Sequence, residues 1–151
     1  MDRLAQRIQT HFVTEIKDVT DFEDADADAV EVLASLVEDY LQALVRYSEI
    51  SRAFFVMWGA AMPSEATLRA VFAKDDARFR SGAETLLRAG QSNGTVDSDI
   101  DPVTTAVAII GIVRGVAAQH LIAPDAFDLL SAAQTCRQFV RKSLTPANGQ
   151  P

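Results

Sequence analysis

Few side chains in this sequence are of types that do chemistry, and fewer still stand at chemical spacing. Asp24-Ala-Asp26-Ala-Asp28 places three carboxylates at alternate positions, the opening pattern of a calcium loop. The pattern then fails: the sixth residue is Ala29 where the sharp turn needs glycine, and the twelfth is Ser35 where a bidentate glutamate belongs. An acidic helix start favoured by the helix dipole accounts for the same residues. The histidines His11 and His120 have no second histidine or cysteine at ligand spacing, although His11 and Glu15 can meet across one helical turn as a surface pair. Cys136 stands at an apolar position with no activating motif around it, so it reads as a small core side chain. With no phosphate-cradling glycine loop, nucleophile elbow or zinc spacing, the sequence points to no metal, no cofactor and no enzyme.

One charged residue does stand out. Arg114 interrupts the apolar run from Ala108 to Leu121, between Gly111 and Gly115. Each glycine in a helix interior costs about 0.8–1 kcal/mol relative to alanine, so a contact outside the helix is expected to offset them. Ala108, Gly111, Gly115 and Ala118 recur at helical spacing and form one strip almost without side-chain bulk. Arg114 itself needs a carboxylate or an acidic ligand if it is buried. Asp75, on the inner stripe between Phe72 and Phe79, is the first partner to test. The alternative lays the arginine stem along apolar surface with its head in solvent.

The elements that must position these residues are helical. At 151 residues the chain is long enough for one domain, 1–151, burying roughly 68–70% of its unfolded surface. The net charge of −7 disfavours direct contact with phosphate backbones or anionic lipid. A single cysteine and the lack of a basic-then-apolar leader suit a reducing cytoplasm. The longest apolar run, Ala106 to Val113, is shorter than the ~18 residues of a membrane span.

Apolar residues recur every three or four positions and nowhere alternate, which predicts an all-α fold of about six helices. A first helix is expected over Asp2–Val19, and a second from near Asp26 to about Ser48 on the stripe Val30, Leu33, Val37, Leu41 and Leu44. The segment Ser51–Met62 is dense enough in Phe54, Phe55, Met57, Trp58 and Met62 to predict burial nearly all round. A long helix follows from Ser64 to about Gly90, stopped by the glycine and Asn-Gly chemistry of Gly90–Gly94. Asp101-Pro102 is a helix-start signal, a capping carboxylate followed by proline at the first helical position. Ala123–Asp125 separates that helix from a last one reaching about Ser143, with a frayed tail at 144–151.

On the last helix, Leu129, Ala132, Ala133, Cys136, Phe139 and Val140 make a wide apolar seam. Packed against their own copies, this seam and the Ala108-Gly111-Gly115-Ala118 strip would build an intersubunit four-helix bundle. The alternative is that the glycines merely let helices cross within one monomer.

The run Gly90 to Pro102, followed by the helix holding Gly111 and Gly115, resembles the C-terminal regulatory domain of TetR-family transcriptional regulators. Arg52-Ala-Phe-Phe-Val-Met-Trp58 after a long helix, and the helix start between Pro63 and Arg69, agree in order and spacing. The similarity spans about residues 30 to 145. It implies a homodimer formed by the last two long helices, a repressor's small-molecule pocket among the earlier ones, and DNA contact only through a basic helix-turn-helix that this sequence lacks. Residues 1–19 then become the connector helix that carries ligand binding to that unit. Pocket lining falls to Tyr40, Leu44, Tyr47, Phe54, Met57, Trp58, Phe72, Asp75, Phe79, Ile110 and Arg114, which suit a largely apolar ligand with or without an acidic group. Each aromatic could instead be plain core. A stand-alone helical carrier or decoy subunit is the alternative function.

Overall fold

The computed structural model describes residues 28–63 and 66–147. The expected Asp2–Val19 helix, His11, Glu15, Asp24, Asp26, the start at Ser64 and residues 148–151 lie outside these. The described residues form five helices and no strand.

Helix α1, Ala29–Arg46, starts where Asp28, in extended backbone, accepts a 2.9 Å bond from the Val30 amide. Asp28 is therefore a helix cap, which satisfies a first-turn donor that would otherwise be orphaned. Val30, Leu33, Val37, Leu41 and Leu44 are all buried, as their spacing predicts, and α1 touches every other described helix. At Tyr47 the backbone leaves the helical region, so Ser48–Ile50 open a new helix instead of closing the old one.

Helix α2, Ser48–Ala61, departs from expectation. Ser51, Phe54 and Ala61 are buried and Phe55, Met57 and Trp58 half-buried, but Val56 is 67% and Met62 59% exposed. The helix lies at the margin of the bundle, packed on α1 and α3, so only one side of it is covered.

Helix α3, Ala66–Asn93, runs past the expected stop at Gly90 and ends at Gly94, whose φ of 79° suits glycine alone. Gly90 serves another purpose. A Cβ there would collide with the Val96 side chain and meet Ala29 Cβ at 3.0 Å, so its bareness lets the following loop fold back onto α1. That loop is pinned by Thr95 and Val96 amides donating to Gly90 O at 2.9 and 3.1 Å, and by Gln91 Nε2 donating to the Asp97 and Ile100 carbonyls.

Helix α4, Pro102–Ile122, begins as predicted: Asp101 accepts from the Thr104 amide at 2.9 Å and its hydroxyl at 2.7 Å. Those bonds hold the Asp101 carboxyl below its ordinary value of 3.8. Averaged over an 18-residue window, α4 is long and apolar enough to cross a membrane, although its longest unbroken run is short. Only 28% of that window is buried; along the whole helix Pro102, Ala106, Ile109, Val113, Arg114 and Ala117 face inward, and the opposite side is uncovered.

Helix α5, Leu129–Leu144, is capped by Asp128, which accepts from the Ser131 amide at 2.8 Å. It lies along α1 with Leu129, Ala133, Cys136, Val140 and Leu144 buried. Leu144, expected in a frayed tail, is 1% exposed, and its carbonyl accepts from the Asp97 amide at 2.9 Å. Arg137 spans to Glu38 at 2.8 Å and Glu31 at 3.2 Å, and Arg141 to Glu31 at 2.8 Å, stitching the two helices at their margin.

Candidate functional site

Arg114 comes from the inward face of α4 and is 6% exposed, so the solvent-facing alternative does not hold. Its Nη1 donates to the Tyr40 hydroxyl on α1 at 3.0 Å. Its Nη2 donates to Asp76 Oδ1 on α3 at 2.9 Å, with Asp75 Oδ2 at 3.8 Å. The expected partner Asp75 is thus in the ion cluster, but its neighbour Asp76 takes the hydrogen bond. Successive residues on a helix point roughly 100° apart; Asp75 is aimed into the core, its side chain 3% exposed, and Asp76 faces the α3–α4 seam.

Four rings surround the guanidinium. Its carbon lies 4.7 Å from the Phe54 ring centre, 5.7 Å from Trp58, and 5.8 Å from both Tyr40 and Phe55. Such contacts contribute from about 0.5 to 2 kcal/mol each as desolvation increases. Burial pushes the Tyr40 phenol up to about 12, against the opposing pull of Arg114, so it remains a neutral hydroxyl. The cluster joins α1, α2, α3 and α4 through one side chain.

Two spaces adjoin it. Between α1, α3 and α4 lies a crevice of about 10 Å³, bounded by Tyr40, Phe79, Ile109, Ile110, Val113 and Arg114 among others, room for about one water. On the outer side an open groove of about 370 Å³ runs past Trp58, Asp76, Arg80, Val107, Ile110 and Arg114 to Gly111, Gly115 and Ala118.

Of the expected pocket residues, Tyr40, Phe54, Trp58, Asp75 and Arg114 share the cluster, Phe79 and Ile110 line the crevice, and Trp58 and Ile110 also reach the groove. Leu44 and Phe72 are core, Phe72 edge-on to Phe54 at 5.5 Å, while Tyr47 and Met57 pack half-buried against it. Phe55, Asp76 and Arg80 were not anticipated. Asp76 and Arg80 stand four apart on α3, one helical face, which is the signal that could have found them.

Ala108, Gly111 and Gly115 are exposed and Ala118 half-buried. A Cβ added at Gly111 or Gly115 meets nothing within 4 Å. In the α5 seam, Leu129, Ala133, Cys136 and Val140 are buried in the protomer, Ala132 is half-buried and Phe139 is 63% exposed. The seam is wider than one helix face, and the α1 side takes its middle. Burial pushes the Cys136 thiol up, which leaves it protonated and unreactive. His120 packs edge-on to Phe127 at 5.9 Å, and the described residues hold no metal-binding cluster.

Residues 29–145 match the family described as BetI-type transcriptional repressor, C-terminal. A crystal structure of a TetR transcription regulator from Haloarcula marismortui ATCC 43049 superposes with a TM-score of 0.79 at 20% identity, covering 95% of this chain and 76% of that one. At that identity the likeness speaks for the fold. No curated protein matches.

Proposed function

From the premise that this chain belongs to the BetI-type repressor C-terminal family of TetR regulators, we propose that it is the small-molecule-sensing and dimerisation domain of a cytoplasmic repressor. Its role is binding, not catalysis, and DNA is read by a separate helix-turn-helix unit of the regulator.

One observation supports this most: α4 carries the Arg114 cluster on one face and a bare, uncovered strip on the other. A ligand that disturbs the first and a second copy seated on the second would act on the same helix. Val107, Ala108, Gly111, Gly115 and Ala118 of α4, with the exposed Leu130 and Phe139 of α5, offer the apolar surface for that copy. Ligand control then requires unequal affinity for two arrangements of the bundle; moving a 1:99 mixture to 99:1 takes about 5.5 kcal/mol of difference.

Mass spectrometry of small molecules retained by protein purified natively from its own cells tests the sensing role. A single bound compound, lost from a Trp58→Leu variant with unchanged circular dichroism, is expected. The absence of any retained compound, or equal retention by that variant, would count against a ligand site at the cluster.

A further inference from the structure

We propose that the groove beside Gly111 and Gly115 is a binding site for an amphipathic organic anion, its acidic head held by Arg80 and its apolar body lying along Trp58, Val107 and Ile110. The inference deepens the sensing role above and rests on it for the dimer that closes the site.

The space of about 370 Å³ falls within the ordinary size of small-molecule sites, about 300–1,000 Å³. Its charge balance sets the ligand class. Three ionisable side chains line the groove: Asp76, Arg80 and Arg114. Asp76 and Arg114 are joined to each other at 2.9 Å, and Asp75 adds a second carboxylate to that arginine at 3.8 Å. Arg80 has no ion-pair partner among the described residues, whereas Arg137, equally half-buried, holds two carboxylates at 2.8 and 3.2 Å. With Asp76 held by Arg114, Arg80 is the groove arginine with no salt bridge of its own among the described residues, in a chain of net charge −7. A guanidinium suits carboxylate and sulfate heads, which it can grip through two parallel hydrogen bonds.

A cation is the less suitable guest. The aromatic surroundings that would favour one already hold the Arg114 guanidinium, 4.7 Å from the Phe54 ring. In the groove a cation would face Arg80.

The outer wall of the groove is the bare strip itself, through Gly111, Gly115 and Ala118. A second copy seated there roofs the groove and excludes water from the Arg80 head contact. Ligand and dimer then stabilise one another by linkage.

Trp58 is the chain's single tryptophan and lines the groove, so its emission reports occupancy. The full chain is titrated with octanoate, octyltrimethylammonium and octanol, which share an apolar body and differ in head group. Octanoate is expected to saturate the emission change at concentrations about tenfold or more below the other two, the scale of a charge-assisted hydrogen bond. Arg80→Gln is expected to remove that advantage while leaving the octanol response unchanged. Equal or better binding of octanol or octyltrimethylammonium, or an octanoate response indifferent to Arg80→Gln, overturns the site. Sedimentation of the same samples separates the two readings. A dimer without octanoate preference overturns the groove assignment alone; a single chain that still binds octanoate through Arg80 keeps the anion site and overturns the roof.

Discussion

Gly90 and the pair Gly111 and Gly115 all lie inside helices, yet they are bare for different reasons. At Gly90 the reason is within the protomer: Val96 and Ala29 occupy the space a side chain would need. At Gly111 and Gly115 the protomer offers none, since an added Cβ meets nothing within 4 Å. Both kinds carry the same helical cost, about 0.8–1 kcal/mol against alanine. The difference is that a side chain at Gly90 conflicts with the protomer itself, whereas at Gly111 and Gly115 it would conflict only with the second copy proposed above, on the same uncovered helix that exposes Val103 and Val107.

Arg114, between the two strip glycines in sequence but facing inward, gives the largest effect. Arg114→Met removes the cation shared by Asp76 at 2.9 Å and the buried Asp75 at 3.8 Å, leaving Asp75 its 3.6 Å contact with the more exposed Arg78, and urea unfolding should show a loss of about 3–5 kcal/mol. Adding Asp75→Leu should recover part of it, because an apolar side chain then takes the place of the buried carboxylate. If the single variant is as stable as the parent, the cluster contributes nothing to the fold.

Alanine substitutions break or sharpen the comparison by their sign. Gly90→Ala should destabilise by about 1–3 kcal/mol through overpacking, outweighing the better helix propensity. Gly111→Ala and Gly115→Ala should each stabilise the isolated protomer, by about 0.8–1 kcal/mol in thermal or urea unfolding at dilutions where single chains dominate. At higher concentration the same substitutions should weaken self-association. A loss of protomer stability at all three positions would erase the distinction.

The helix starts, away from both glycine regions, give the smallest effect. The Asp101 and Asp128 carboxyls are lowered, chiefly by hydrogen bonds from Thr104 and Ser131. A lowered folded value stabilises the protein above the unfolded value of 3.8 and loses that contribution as pH falls through the folded value. The melting temperatures of the parent and of Asp101→Asn should therefore differ slightly near pH 6 and converge below pH 3.8. A difference that persists at acid pH contradicts the assignment.

Much of the fold was readable because it depends on local chemistry. Asp101-Pro102 opened α4 as expected, and the stripe from Val30 to Leu44 marked the buried face of α1. What was misread depends on how helices rotate against each other. Asp75 pairs with Arg114 as expected, but the closer Asp76 was missed, because it follows from the roll of α3 on α4, which spacing along one helix does not encode. Gly90 and Gly94 both carry stop chemistry; the contact of Gly90 with Val96 and Ala29 decided which one ended α3. The α5 seam was correctly apolar, but its sequence does not say that α1 packs over its middle. Arg80 drew no attention because its place in the groove depends on how α3 and α4 pack, not on its own sequence neighbours.

Sedimentation equilibrium at micromolar concentration, comparing the parent with a Gly111→Leu/Gly115→Leu variant, tests the central claim most directly. Because both positions are open within the protomer, the variant should keep its helical content. The parent should sediment at twice the chain mass and the variant at the mass of one chain. A parent that sediments as single chains, or a variant that stays dimeric, would contradict the account.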